Sequence, residues 1–111
     1  EKTILNETHG YAGRVDGFAR LKDNSVSIVE IKTSKHTRDI YKLQIAAYLN
    51  FTRCEEYLVF PAEVNQGIIL QYTDFWTESK YNRQTAPFNI FLAALDIWKW
   101  RNDRARIDLM Y

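Results

Sequence analysis

The order of apolar and polar positions divides the chain into extended segments followed by two helical ones. Lys2 to Asn6 and Tyr11 to Leu21 read as the first two strands, with Gly10, Gly13 and Gly17 allowing bends or a close backbone approach. Lys22-Asp23-Asn24-Ser25 is a polar turn, and Val26 to Thr33 then alternates strictly. Val26, Ile28, Glu30 and Lys32 fall on one face, and Ser27, Val29 and Ile31 on the other. Strand side chains alternate with a period of two, so Glu30 and Lys32 must point the same way. One strand end therefore carries an acid and a base together.

From about Thr37 to Phe51 there is no Gly or Pro, and Ile40, Leu43 and Ala47 recur at helical spacing, with Thr37 or Asp39 available as an N-cap. Tyr41, Gln44 and Tyr48 lie three and four residues apart, so a polar seam runs beside that apolar stripe. Tyr57 to Phe60 and Gly67 to Tyr72 read as two more strands joined by the Pro61 to Gln66 loop. Pro87 opens a second long helix, in which Phe88, Phe91, Leu92, Leu95 and Trp98 form an apolar stripe down to about Asp103. Packing of that stripe on the sheet would close the domain. The pattern predicts an α/β fold over residues 1–111, with a mixed sheet of about five strands and flanking helices. No repeat or low-complexity stretch divides it.

A chain of 111 residues suits one core, and 46% hydrophobic residues, 14% of all residues being aromatic, are ample to fill it. No apolar run approaches the roughly eighteen residues of a membrane span. Cys54 is the single cysteine, so an internal disulfide and a four-cysteine metal site are both excluded. That usage favours an intracellular setting, the cytoplasm or nucleoid, a phage-infected cell included. The net charge of +1 provides no broad basic field, so any nucleic acid must be met locally. Lys32, Lys35, His36, Arg38 and Lys42 supply one local run. A solvated loop and helix start would account for it equally well, but its place beside Glu30 and Lys32 favours phosphate contact. The sequence starts at Glu1 without an initiator methionine, which reads as a piece cut from a larger parent chain.

Phosphodiester hydrolysis needs a nucleophilic water, stabilisation of charge on the phosphoryl oxygens and help for the leaving oxygen. Hard cations held by carboxylates supply all three. Asp16 and Glu30 are suitable ligands for magnesium or manganese, with the main-chain carbonyl of Ile31 as a further oxygen. Lys32 would orient the attacking water or stabilise developing charge. Gln44 and Tyr48 would hold Lys32 or touch substrate, although hydrogen bonding along a helix–sheet seam is a simpler role for both. An acidic-x-Lys pair alone is most often a surface ion pair. Its combination with Asp16 and a Gln-x-x-x-Tyr helix is what points to chemistry.

Gly13-Arg-Val-Asp16, Glu30-Ile31-Lys32 followed by Thr33, and Gln44-x-x-x-Tyr48 together resemble the PD-(D/E)XK nuclease superfamily, specifically its RecB-like branch. The likeness runs over nearly the whole chain and is similar to phage exonucleases and to the mitochondrial genome maintenance exonuclease group. It implies a restriction-endonuclease-like core and a magnesium- or manganese-dependent deoxyribonuclease acting on single-stranded DNA or free DNA ends. Asp16, Glu30, Lys32, Gln44 and Tyr48 would be catalytic, and Thr33, Lys35, His36 and Tyr41 would bind substrate. Members usually carry helices ahead of the first strand together with a further histidine or glutamate; Glu1 is a weak match for the latter. Without those helices apolar surface would be left open, promoting self-association. The rival readings are a non-cleaving DNA-binding or assembly module, and the nuclease domain of a helicase–nuclease.

The remaining polar and aromatic residues read more plainly. His9 is expected to be a solvent-exposed hairpin residue rather than a metal ligand. Trp98 belongs to packing on its helical stripe, whereas Trp76 and Tyr81 stay open between packing and base stacking. Cys54 is expected to be small and buried near a helix end.

Overall fold

A computed structural model describes residues 1–34, 39–56 and 59–110, with side chains as far as residue 102. It has an α/β fold. In chain order the elements are β1 (Lys2–Asn6), β2 (Tyr11–Val15), β3 (Gly17–Arg20), β4 (Val26–Lys32), α1 (Asp39–Leu49), β5 (Arg53–Cys54), a short 3-10 turn (Pro61–Glu63), β6 (Val64–Tyr72), β7 (Trp76–Tyr81) and α2 (Phe88–Met110). Lys35, His36, Thr37, Arg38, Tyr57 and Leu58 lie outside the described residues, and with them the expected N-cap at Thr37 and the first half of the strand expected at 57–60.

The single five-stranded sheet expected from the pattern is instead two sheets, ordered β2-β1-β5 and β3-β4-β6-β7. The long extended run from Tyr11 crosses between them at Asp16, where β2 ends and β3 begins. The physical cause is local. Main-chain groups that would continue a ladder are bonded to side chains instead: the Asp16 N–H donates to Glu30 Oε1 at 2.8 Å, and the Ile31 N–H donates to Asp16 Oδ2 at 2.7 Å. Gly10, at φ +73°, makes the turn between β1 and β2 in a region glycine enters at little cost.

In the larger sheet β3 and β4 are antiparallel, β4 and β6 parallel, and β6 and β7 antiparallel. The parallel pair requires a crossover, and α1 provides it on one face of the sheet. Gly67 of β6 sits beneath the helix, where an added Cβ would stand 2.4 Å from Ile45 Cγ1. Ile45 and Leu49 thus press on the sheet backbone directly. Ile4, Val15, Ile28, Ile45, Leu49 and Val64 are all fully buried and form the centre of the core.

Arg83 closes the far end of α1. Its guanidinium donates to the carbonyl oxygens of Leu49, Val64 and Pro61 at 2.9–3.0 Å, so one side chain caps the helix and ties it to the 3-10 turn and the start of β6. The strand expected at 57–60 is not found in its described half, since Val59 and Phe60 are irregular; β5 starts four residues earlier, at Arg53, and pairs Cys54 with Ile4. β7 adds an edge strand that its polar sequence, Trp-Thr-Glu-Ser-Lys-Tyr, did not signal.

α2 begins where Pro87 indicates, and it packs mainly on α1 and the β1–β2 turn, touching the smaller sheet at Tyr11 of β2. Phe88 meets the edge of His9 at 5.7 Å, Phe91 meets Tyr11 at 4.9 Å, and Lys99 Nζ donates to the His9 carbonyl at 2.6 Å. His9 is consequently half-buried rather than solvent-exposed. Trp98, expected in the core, is 61% exposed, because that part of the helix extends past the elements that would cover it. Among the described residues no helix is long and apolar enough to cross a membrane.

Candidate metal and phosphate site

Strand register brings the two carboxylates together. The β3–β4 ladder ends at Gly17 and Val29, and just beyond it Glu30 accepts the Asp16 N–H while Asp16 accepts the Ile31 N–H. The two differ in exposure: Asp16 is exposed, whereas Glu30 retains only 5% of its accessible surface. Burial therefore raises the Glu30 pKa above its ordinary value; the Asp16 N–H partly offsets this, and the Asp16 charge adds to it.

Lys32 shares the face of Glu30, as strand parity requires. Its Nζ donates to Gln44 Oε1 at 2.6 Å, lies 3.8 Å from Glu30 Oε2 and stands 4.7 Å from the centre of the Tyr41 ring. Three groups from two elements hold one ammonium in place. Tyr48 lies one turn beyond Gln44, buried, and its ring presses on the backbone of β2, where a Cβ at Gly13 would come within 2.6 Å of Cε1. Burial, followed by the nearby Glu30 charge, pushes the Tyr48 hydroxyl up to about 12. Gly13 is therefore glycine for contact, and this contact fixes β2 against α1.

Asp16, Glu30, Ile31, Lys32, Tyr41, Gln44 and Tyr48 are thus gathered at the end of β4 and along the facing seam of α1. Thr33 follows as an exposed residue just past the strand, and Lys35 and His36 lie outside the described residues. Ile40, placed on the apolar stripe from sequence, is 59% exposed; the sheet-facing residues of α1 are Ile45 and Leu49, on the opposite side. Sequence reasoning missed Tyr11. Its hydroxyl donates to the Ala47 carbonyl at 2.7 Å and accepts from Asn6 Nδ2, and burial raises its pKa to about 12. No spacing rule links residues 11 and 47, so no local signal could have found that bond.

The donor set suits a hard divalent cation. One oxygen of each carboxylate is engaged by a main-chain N–H, which leaves Asp16 Oδ1 and Glu30 Oε2 free of those bonds. An extended residue sends its N–H and C=O to the same side, so the Ile31 carbonyl is directed toward the Asp16 edge, as its N–H is. Among the described residues no group of three or more His, Cys, Asp or Glu side chains converges. Two carboxylates and one carbonyl form an open site of the sort magnesium occupies while keeping several waters.

No protein-family model matches the chain, and no curated protein matches it. Among solved structures it is similar to the crystal structure of SSO0001, with 25% sequence identity and a TM-score of 0.44. The likeness covers 72% of this chain and 37% of that one, so this chain spans well under half of that protein's length.

Proposed function

We propose that the chain is a magnesium- or manganese-dependent nuclease that hydrolyses DNA phosphodiester bonds, preferring single strands with free ends. The observation that carries this reading is the pair of hydrogen bonds that joins Asp16 to the end of β4, Asp16 N–H to Glu30 and Ile31 N–H to Asp16, with Lys32 held beside them by Gln44. Asp16, Glu30 and the Ile31 carbonyl would hold the cation, which when bound supplies an activated water and neutralises phosphoryl charge. Lys32 presents its ammonium to the charge that develops on the phosphate, and its fixed position lowers the reorganisation needed at that moment. Gln44 and Tyr41 position Lys32. Tyr48, with its pKa near 12, keeps its proton at neutral pH and serves as a hydrogen-bonding group rather than a base. The preference for single strands and free ends rests on the resemblance to RecB-like exonucleases; the nuclease part of a helicase–nuclease would use the same site.

One observation favours a second reading. Both carboxylates also satisfy main-chain N–H groups where the chain changes sheets, so they would be needed by a non-cleaving DNA-binding or assembly module of the same fold. Incubation of the protein with linear and circular single-stranded DNA and matched duplexes separates the two. Magnesium, manganese and chelator are compared, beside Asp16→Asn and Lys32→Ala. Metal-dependent loss of linear single strands is expected, reduced by about 10²–10³-fold or more in either variant. Absence of metal-dependent cutting would overturn the nuclease reading, and degradation of circles would remove the requirement for ends.

A further inference from the structure

A cavity of about 420 Å³ opens directly beside Lys32, between α1 and α2. Lys32, Gln44 and Tyr48 form the wall it shares with the candidate phosphate site, and Tyr11, Tyr41 and Phe91 add three more rings. Ala94 lies at its edge on α2. Its size falls in the range of small-molecule sites, roughly 300–1,000 Å³. The walls are also held before any ligand arrives. Tyr11 is tethered through its hydroxyl to Ala47 and packs edge-on against Phe91 with ring planes at 67°, while Tyr48 is pressed on Gly13.

We propose that this cavity receives one unpaired nucleobase of the DNA strand whose phosphate lies at Lys32, and so makes the site selective for single strands. The inference rests on the nuclease reading above and deepens it. Rings on several walls suit the flat faces of a base, and stacking of this kind tolerates any sequence. The ammonium at the shared wall suits the adjoining phosphate. A base can enter between two helices only after leaving its stack and its partner, and that cost is smallest when the strand is already single. The same wall thus joins base capture to phosphate position.

Binding is measured in chelator, where the hydrolysis reading plays no part, by fluorescence anisotropy of a labelled twelve-nucleotide thymidine strand. The same backbone carrying abasic sites and a blunt duplex serve as comparisons. Ala94→Phe, which would fill the cavity without touching Lys32 or the carboxylates, is tested beside the parent, and circular dichroism checks that it folds. The parent should bind the thymidine strand roughly tenfold or more tightly than the abasic strand, and Ala94→Phe should lose most of that advantage. Equal binding of abasic and intact strands, no binding of either, or a folded Ala94→Phe with undiminished preference would each overturn the proposal. The abasic comparison needs no variant, so it decides the matter even if Ala94→Phe fails to fold. Base-dependent binding without metal-dependent cutting would leave the cavity standing and remove only the nuclease reading.

Discussion

From Ile45 to Leu49 every side chain of α1 is buried, whereas α2 leaves Ile90, Ile97, Trp98 and Trp100 more than half exposed. α2 carries more charged residues than α1, yet the residues it leaves exposed are themselves large and apolar. The difference lies in neighbours. α1 has the sheet on one side, with Gly67 admitting Ile45 and Leu49 to the backbone, and α2 on another. Among the described residues α2 meets chiefly α1, the β1–β2 turn and Tyr11 at the start of β2. Gln44 and Tyr48, which orient Lys32 and fix β2, stand on the doubly packed helix. Moving them would require repacking the core, so the site inherits its rigidity from α1.

The contrast can be broken from either helix. The largest effect is expected from Ile45→Ala, which removes a fully buried side chain resting on Gly67 and should cost about 2–5 kcal/mol in chemical denaturation. Arg83→Met comes next. It leaves the carbonyls of Leu49, Val64 and Pro61 without their shared donor, and a loss of about 2–3 kcal/mol in the same measurement is expected. Unchanged stability would mean that water replaces the guanidinium at no cost and that α1 is not held from its C-terminal end. Gly67→Ala should cost about 1–3 kcal/mol, because the new methyl must displace Ile45; a neutral result would show that α1 can lift from the sheet.

A smaller effect, of opposite sign, is expected from Glu30→Gln. The Glu30 pKa is raised in the folded chain, so its contribution to stability is fully present below the ordinary value of 4.5 and is lost as pH rises through the folded value. In chelator, Glu30→Gln should therefore melt at a higher temperature than the parent at pH 7, and the advantage should vanish in acid. An advantage that persists below the carboxylate range would assign the gain to packing instead of charge. The smallest effect belongs to α2: Ile97→Ser should change stability by no more than about 0.5 kcal/mol. A loss as large as that of Ile45→Ala would mean that the exposed face of α2 is covered in solution, and sedimentation would then show association.

Much of the site could be read from the chain because its parts obey short-range periodicities. Glu30 and Lys32 share a face through the period of a strand, and Gln44 and Tyr48 through the turn of a helix. What escaped depends on partners far apart in sequence. The division into two sheets at Asp16 comes from side chains replacing a ladder across an interval that no local pattern marks. β7 escaped because an edge strand exposed over most of its length keeps polar residues and loses its alternation. The stripe on α2 was visible, but a stripe does not say what covers it, and Trp98 turned out to face solvent. Arg83 sits in a polar loop with nothing to distinguish it until its three acceptors are brought together.

The crossing at Asp16 bears on how a related chain should be judged. Because Asp16 and Glu30 each accept a main-chain N–H at the junction, a lineage that had lost catalysis would still be under pressure to retain both for folding. Lys32 has no such main-chain duty: its contacts are to the Gln44, Glu30 and Tyr41 side chains. On the proposed nuclease reading, a descendant with both acids and no lysine would keep the junction while having lost the proposed chemistry.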